Sequence, residues 1–377
     1  MHAAALTPPL ARDLATAAQA DPPTAARHHV ELLPGMEVIL ERLLRDVRRA
    51  RERVWISTYI YKPGKLGHLF ADAMAEAARR GADVRLLFDA LGSHEAPASF
   101  FEDMRARGIR ARAYRPLGAV ARGLALFPRE HSRIVVIDDA GYVGGAAWAD
   151  EWLPREQGGE GWHEICSRLT GPCVRDMQRA FLLRFHLADE AEGLSFDYWT
   201  GDKADDVEFV TDAPRPPPVL YTRIRERVRT ATSRVWIENA YFCPPRGLEA
   251  DLSAAAARGV DVRIIAPHAT DLPLLQRAAF HRYERWLRAG WKLFEYERAV
   301  LHAKCAVVDD DWATVGTFNV NSTSLRWVSE ANIIVKDRAF VAEAARTFEH
   351  DLGGSRSVSR APAAGLLERG KRAAASA

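Results

Sequence analysis

Two sets of chemically capable residues recur in this 377-residue chain, one set in each half. Each set starts with a histidine, has a cationic residue two positions later and ends with an aspartate: His131, Arg133 and Asp138, and His302, Lys304 and Asp309. On a β-strand, residues two apart point to the same face, so each histidine lies beside a cation. An imidazole acts as nucleophile or as general acid and base, and a cation binds phosphate. One such histidine would more often be structural, but two at matching positions favour catalysis.

The residues that follow each histidine differ between the halves. The second half has G-T-x-N, in which Thr317 and Asn319 are expected to give neutral hydrogen bonds to phosphate oxygens. The first half has G-G-A-A-W, which offers only Ala147 or, with another gap placement, Trp148 in place of asparagine. It also has Arg133 where the second half has lysine, and arginine binds as a rigid planar fork.

The elements that position these residues also occur twice, in the same order. R-V-W-I at 53–56 recurs at 234–237, each time after a basic helix-like segment and before an aromatic stretch. Ala-rich amphipathic segments then end at Gly81 and Gly259 and lead into β-branched strands, which predicts β-α-β units. The histidine segments read as hairpins with turns at paired aspartates. We therefore predict an α/β fold with two halves, at 28–190 and 205–352, each a mixed sheet flanked by helices.

Three segments lie outside these halves. Residues 1–27 are rich in alanine and proline but lack the basic start and apolar stretch of a signal peptide, so we expect a disordered leader. Residues 191–204 are predicted to be a linker. Residues 353–377 are basic and are expected to be a disordered tail.

Composition excludes several classes of protein. With 48% hydrophobic residues the chain is not disordered. Its net charge is only +2, so we expect no nucleic-acid partner. The four cysteines have no metal-ligand spacing, which argues against zinc or a disulfide scaffold and favours a reducing compartment. No run approaches the roughly 18 apolar residues that a membrane span needs.

The tandem motifs resemble those of the phospholipase D superfamily, and the chain is most similar to bacterial cardiolipin synthases. The resemblance extends over about 28–352 and includes N-A-Y-F-C-P, L-H-A-K-C-A-V-V-D-D-D-W-A-T-V-G and S-E-A-N-I-I-V-K-D-R-A-F. It implies pseudo-symmetric halves with an active site at their interface and no metal or other cofactor. It also implies that a carboxylate after each motif, Glu164 or Glu330, orients a histidine, usually of the other half.

The resemblance thus gives a full set of expected site residues. The catalytic residues would be His131, His302, Lys304, Arg133, Asp138, Asp309, Glu164 and Glu330, and the phosphate would be bound by Lys304, Arg133, Asn319 and Thr317. The two aspartates are supporting residues with a structural alternative, because aspartate at a strand-to-turn junction commonly accepts nearby backbone N–H groups.

The function implied is that of a phosphatidyltransferase of the cardiolipin synthase type. It would move a phosphatidyl group from one phospholipid, phosphatidylglycerol for example, to the hydroxyl of another through a phosphohistidine. Hydrolysis of phospholipid, or less probably of nucleic acid, is one alternative. The altered first half also allows a slower or redirected enzyme, or a pseudoenzyme that only binds lipid. The expected location is peripheral, on the anionic cytoplasmic face of the inner membrane.

Several apolar and aromatic residues have two interpretations. The segment before His131 is either a buried strand or a loop that inserts Leu124, Leu126 and Phe127 into lipid while Arg122 and Arg129 meet phosphates. The segment 174–187 is either a membrane-surface helix or a core helix. Trp55 and Trp236 are either core residues of a strand or platforms for the acceptor. Four more aromatic residues either form the core or line the site entrance: Tyr59, Tyr61, Tyr241 and Phe242.

Overall fold

A computed structural model describes residues 8–19, 28–121, 126–186, 188, 199–200, 206–212 and 218–360. These residues form two sheets, one in each half of the chain. The first-half strands are β1 (His29–Pro34), β2 (Arg53–Thr58), β3 (Asp83–Asp89), β4 (Arg110–Tyr114), β5 (Arg129–Glu130), β6 (Ile134–Ile137), β7 (Ala140–Gly144) and β8 (Ile165–Thr170). The later strands are β9 (Trp199–Thr200), β10 (Val207–Asp212), β11 (Arg234–Asn239), β12 (Asp261–Pro267), β13 (Lys292–Tyr296), β14 (Lys304–Val308), β15 (Trp312–Gly316), β16 (Val328–Val335) and β17 (Ser355–Val358).

The helices cover these sheets and connect their parallel strands. They are α1 (Pro8–Gln19), α2 (Met36–Arg49), α3 (Lys65–Arg79), α4 (Ala98–Ala106), α5 (Leu117–Ala121), α6 (Cys173–His186), α7 (Val219–Thr230), α8 (Arg246–Ala257), α9 (Pro273–Arg288), α10 (Ser322–Arg326) and α11 (Arg338–Leu352). Among the described helices, none is both long enough and apolar enough to cross a membrane.

The two sheets have the same internal plan. The first has the order β1-β8-β7-β6-β2-β3-β4, and the second has β17-β13-β12-β11-β14-β15-β16-β10-β9. In each, three parallel strands joined by helices lie beside three antiparallel strands, and a short turn joins the first two of the antiparallel strands into a hairpin. The mixed sheets that the repeated sequence predicts are therefore present in both halves.

One short strand crosses from the first half to the second sheet. Strand β5 pairs in parallel with β16, with Arg129 opposite Val328 and Glu130 opposite Ser329. Because His131 follows β5 directly, this pairing brings the first-half histidine to the second half.

A shared core fills the space between the sheets. Helix α6 buries Val174, Met177, Phe181 and Phe185 in a cluster that also contains Phe348 of α11 and residues of both sheets. The core interpretation of the segment 174–187 is thus correct and the membrane-surface interpretation is wrong; position 187 itself lies outside the described residues.

The expectation of a disordered leader is wrong for Pro8–Gln19. This segment forms α1, whose Leu10 is buried in the shared core. Asp13 accepts hydrogen bonds from Arg85 and, at 2.8 Å, from Nε2 of His186. An apolar contact and an ion pair with the first half hold the helix in place, which composition alone does not reveal.

The other two segments are also partly ordered. Ser355–Val358, in the predicted tail, forms β17 and pairs with β13, which corrects that expectation. Trp199–Thr200, in the predicted linker, pairs with β10. In the predicted linker, residues 191–198 and 201–204 lie outside the described residues, and in the predicted tail residues 361–377 do.

Candidate active site

Two histidines, one from each half, contact a carboxylate of the opposite half. Nδ1 of His131 lies 2.9 Å from Oε2 of Glu330, and Nδ1 of His302 lies 2.7 Å from Oε2 of Glu164. All four side chains are buried. The pairing across the halves that the resemblance implied is therefore present.

Backbone hydrogen bonds explain why these pairs cross the molecule. The amide of His131 donates to the carbonyl of Ser329 at 3.1 Å, and the amide of His302 donates to the carbonyl of His163 at 2.8 Å. Ser329 and His163 each precede the pairing glutamate. Each histidine is thus held beside the segment that carries the glutamate of the other half. The same kind of contact occurs twice between the halves.

The electrostatics of the pairs favour neutral imidazoles. Burial lowers the pKa of His131, although Glu330 opposes this effect. Burial, with Lys304 and Arg133 nearby, lowers the pKa of His302 well below its ordinary value. A neutral imidazole beside a carboxylate donates its Nδ1 hydrogen, which leaves a lone pair on Nε2.

Each cation lies beside the ring of its histidine. Nζ of Lys304 is 2.8 Å from Nδ1 and 3.1 Å from Nε2 of His302, and Nη1 of Arg133 is 3.5 Å from Nε2 of His131. Burial lowers the pKa of Lys304 to about 7, against the opposing effect of Glu164. Because guanidinium keeps its proton in proteins, Arg133 supplies a permanent charge. An anion between the histidines would meet both cations.

Asn319 and Thr317 have different surroundings. Asn319 is buried, and its Oδ1 has no hydrogen-bond partner within the described part of the chain. Thr317 instead donates its hydroxyl hydrogen to Oε2 of Glu330, and its amide donates to Oδ1 of Asn332. The Thr317 hydroxyl therefore orients the Glu330 carboxylate, and its contact with phosphate stays a prediction. Asn319 remains available to a ligand.

The strand register identifies the first-half residue equivalent to Asn319. Ile137 pairs with Ala140 across the first-half hairpin, whereas Val308 pairs with Trp312, so the second turn is one residue longer. The amide of Lys62 donates to the carbonyl of Trp148, as the amide of Cys243 donates to that of Val320. Trp148 therefore matches Val320, and Ala147 occupies the position of Asn319. The first half has no side-chain donor there.

Asp138 and Asp309 lie at the hairpin turns, at the ends of their strands remote from the histidines. Asp138 accepts the backbone N–H groups of Arg51, Glu52 and Arg53 at 2.9–3.3 Å. Asp309 accepts those of Thr232, Ser233 and Arg234. These bonds fix the start of β2 and β11, so the structural alternative is correct and the expectation of a catalytic position is wrong.

Aromatic residues surround the histidines unevenly. The ring of Tyr59 lies 5.2 Å from that of His131, and the ring of Tyr241 lies 5.8 Å from that of His302, so these two residues line the site. The other four aromatic residues with two interpretations are buried in the core: Tyr61, Phe242, Trp55 and Trp236.

Sequence reasoning missed two tryptophans at the second histidine. The rings of Trp152 and Trp162 lie 5.0 and 5.7 Å from the ring of His302. Trp162 lies two residues before Glu164 in G-W-H-E, and this proximity to an expected site residue could have identified it. Trp152 lies in a short 3-10 helix and gave no signal.

The loop before His131 is only partly apolar surface. Leu126 and Phe127 are each 39% exposed, and Phe127 contacts the ring of the exposed Trp327 at 5.4 Å. Arg129 is 1% exposed and pairs with Asp89, so its predicted contact with lipid phosphates is wrong. Arg122 and Leu124 lie outside the described residues.

Comparison with known proteins gives one family throughout. Residues 43–166 and 224–352 match the family model described as cardiolipin synthase, PLD-like domain. The major cardiolipin synthase ClsA of Bacillus subtilis is 31% identical over 325 residues, which cover 84% of this chain and 67% of that protein. Cardiolipin synthase A of Pseudomonas fluorescens is 28% identical over 341 residues, or 90% and 71% of the two chains.

Solved structures share the fold at lower sequence identity. The crystal structure of phosphatidylserine synthase from Haemophilus influenzae matches with a TM-score of 0.72 and 13% identity, over 96% of this chain and 98% of that one. Polyphosphate kinase from Porphyromonas gingivalis matches with a TM-score of 0.59 and 13% identity, over 89% and 48%. The predicted α/β architecture with two similar halves is confirmed.

Proposed function

The chain belongs to the cardiolipin synthase, phospholipase D-like domain family, and from this premise we propose that it is a phosphatidyltransferase. Its donor would be an anionic phospholipid such as phosphatidylglycerol, and its acceptor the hydroxyl of a second phospholipid. The observation that supports this most directly is the pair of histidine–glutamate contacts across the halves, His131 with Glu330 and His302 with Glu164.

The first step would form a covalent intermediate. Nε2 of one histidine attacks the phosphorus, a P–N bond forms and the bond to the departing alcohol oxygen breaks. The other histidine must first take up a second proton, as the anionic donor binds; it then gives its Nε2 hydrogen to that oxygen, and glycerol leaves when phosphatidylglycerol is the donor. The carboxylate at Nδ1 stabilises the positive charge that each imidazole gains in turn.

The second step would reverse the proton transfer. The histidine that gave its proton now accepts the proton of the incoming hydroxyl, whose oxygen attacks the phosphorus. The P–N bond breaks and the new phosphodiester is released. Lys304, Arg133 and the Nδ2 group of the buried Asn319 would bind the nonbridging oxygens, where charge increases in the transition state.

We further propose that an apolar rim places this site on an anionic membrane surface. The rim consists of Leu126, Phe127, Trp327, Leu272 and Leu274, which are 39–79% exposed. The first three lie beside the segment leading to His131. The last two follow Asp271, which accepts a 2.8 Å hydrogen bond from the hydroxyl of Tyr241 at His302. Exposed apolar side chains on both sides of a site suit peripheral binding to lipid.

The location proposed is the cytoplasmic face of the inner membrane. All four cysteines, which lie in the described part of the chain, are free, and three of them are buried. Free thiols favour a reducing compartment.

An assay with labelled phosphatidylglycerol tests the activity. Purified protein should produce cardiolipin and glycerol, and H131A and H302A should each lose this activity. Phosphatidic acid as the only product would establish hydrolysis instead, and no turnover with varied anionic lipids would favour a lipid-binding pseudoenzyme. Rapid quenching in alkaline detergent, with the donor labelled at its phosphorus, should trap the phosphohistidine, whose P–N bond is stable in alkali, and the variant that remains unlabelled identifies the nucleophile.

A further inference from the structure

A second histidine–carboxylate cluster lies behind the active-site strands. Nε2 of His163 is 2.9 Å from Oδ2 of Asp351 and 3.5 Å from Oε1 of Glu238, and one ligand atom from each residue lies within 4.8 Å of the others. Glu238 pairs with Cys305 across β11 and β14, whereas Lys304, on the face of the site, pairs with Asn239. Since alternate residues of a strand face opposite sides, this cluster is separate from the catalytic residues.

The cluster contains a buried carboxylate without a donor. Glu238 is 0% exposed, and neither of its carboxylate oxygens has a hydrogen-bond partner among the residues that the structure describes. Burial and the adjacent Asp351 raise the pKa of Glu238 well above its ordinary value. Two buried carboxylates with a single imidazole lack compensating charge, and such groups take up a proton, pair with a cation or coordinate a metal ion.

The equivalent place in the first half shows how that charge is compensated elsewhere. Phe181 stacks on Trp55 in the first half as Phe348 stacks on Trp236 in the second. Three residues after these phenylalanines come Arg184 and Asp351.

In the first half, Nε of Arg184 binds Oε2 of the buried Glu130 at 2.9 Å. Ser57 occupies the strand position that matches Glu238, one residue after R-V-W-I. The second half thus has a carboxylate where the first has its arginine, and another where the first has serine.

We propose that His163, Glu238 and Asp351 bind one divalent transition-metal ion, with Zn²⁺ or Mn²⁺ as the expected species. One imidazole nitrogen and two carboxylates form a donor set that both ions accept. Two donor atoms on a tetrahedral zinc ion lie about 3.4 Å apart. The distances of 2.9 and 3.5 Å therefore require only small side-chain movements. The side chain of His163 is 14% exposed, which gives the ion a route inward.

The position of the proposed ion implies a structural role. His163 belongs to the first half, and its carbonyl accepts the amide of His302, whereas Glu238 and Asp351 belong to the second half. Glu164, the partner of His302, is the next residue after His163. The metal would join the halves and fix the segment that supports the Glu164–His302 pair.

Metal binding to the wild-type chain, without lipid, is the first test. Protein treated with a chelator and dialysed is titrated with Zn²⁺, Mn²⁺ and Mg²⁺ by calorimetry, and its thermal unfolding is followed. Saturation near one Zn²⁺ or Mn²⁺ per chain with a rise in Tm is expected, with Mg²⁺ much weaker because imidazole is a poor ligand for it. Absence of saturable binding by either transition metal overturns the proposal, whatever the lipid assay shows.

Matched variants assign the ligands. E238Q and D351N keep the shape of the side chains but should lower the affinity by about tenfold or more. H268Q is the control, because the carboxylate beside His268, Glu295, is already paired with Arg356. Unchanged affinity in E238Q and D351N, in protein whose circular dichroism is native, would assign the ion to another place. Should either variant not fold, the absorption spectrum of Co²⁺ bound to the wild type, compared with that of an H163Q variant, decides whether an imidazole is a ligand.

Discussion

Lys304 and Arg133 differ in how firmly they hold their charge. Both are buried beside a histidine, but burial lowers the pKa of Lys304 to about 7, while the guanidinium of Arg133 stays protonated. In the proposed mechanism both must be cationic when the donor phosphate binds. The free enzyme therefore has one permanent and one titrating cation, and the titrating one belongs to the unaltered half.

The activity should decrease above neutral pH because Lys304 loses its proton there. Its pKa is lowered and its charged form is required, so kcat/KM should fall about tenfold per pH unit as the pH rises above about 7. K304R keeps its charge and should lose this alkaline decline, even if its maximal rate is lower. Initial rates in mixed micelles over pH 5–10 give the profile. An identical decline in K304R would assign it to another group.

Asn319 should matter for the rate and not for folding. Its Oδ1 has no partner in the described structure, so N319A removes no hydrogen bond at that atom from the fold, but it deprives the phosphate of the Nδ2 donor. We expect kcat to fall about 100-fold, with the unfolding free energy nearly unchanged.

Asn321 is the matched control for this variant. Its Oδ1 accepts the amides of Thr323 and Ser324 at the start of α10, and N321A should cost about 1 kcal/mol of stability with little effect on kcat. Urea unfolding and steady-state rates separate the two effects. If N319A destabilised the fold as much as N321A, the asparagine would be structural.

At the scale of elements, the two hairpins that follow the histidines are built in the same way. Each turn has an aspartate with positive φ, 50° at Asp138 and 52° at Asp309. Its carboxylate accepts backbone N–H groups at the start of the neighbouring strand. The same hairpins differ by one residue in turn length, which shifts Ala147 into the asparagine position. A small local difference thus decides which side chain faces the site.

Replacement of the turn aspartate should reduce stability and spare catalysis. D138A loses three backbone hydrogen bonds and places alanine at a positive φ, so we expect a loss of about 1–3 kcal/mol in unfolding free energy. D138N retains an acceptor and tolerates this φ, and should lose less. Urea denaturation gives the stability, and kcat is measured well below the unfolding transition. A large fall in kcat at native stability would restore Asp138 to the catalytic set.

At the scale of the whole molecule, the repeated halves enclose the site between them, and the proposed apolar rim would lie at its entrance. The rim draws on both halves, with Phe127 before His131 and Leu272 near Tyr241. Because lipid tails are long and the reacting phosphate is at the membrane surface, binding by the rim would bring the site to the headgroups without a spanning helix.

Charged substitutions in the rim should weaken binding to vesicles. F127D and W327D each remove an exposed aromatic residue, worth about tenfold in affinity when it is buried in lipid. V38D, on α2 and away from the rim at 41% exposure, is the control and should bind normally. Flotation with phosphatidylglycerol vesicles measures the bound fraction. Normal flotation of a variant that combines F127D and W327D would disprove the rim, as would an equal loss in V38D.

The sequence by itself determined the repeat, the α/β class and the two histidine–cation pairs, because these depend on short-range periodicity. Residues two apart in extended backbone share a face, so His302 and Lys304 could be paired from the sequence, although strand β14 begins only at Lys304. The tertiary structure decided what depends on distant contacts. His131 and Glu330 are 199 positions apart, and His302 and Glu164 are 138 apart.

The same physical reason separates the correct expectations from the wrong ones. An apolar helix such as α6 has the same pattern whether it faces a core or a membrane, and only packing against both sheets shows that it is core. The direction of the Thr317 hydroxyl, the burial of Arg129 and the meeting of His163 with Glu238 and Asp351 likewise follow from how the halves close. Local sequence specifies the strands and their faces, and the closure of two similar halves creates the site.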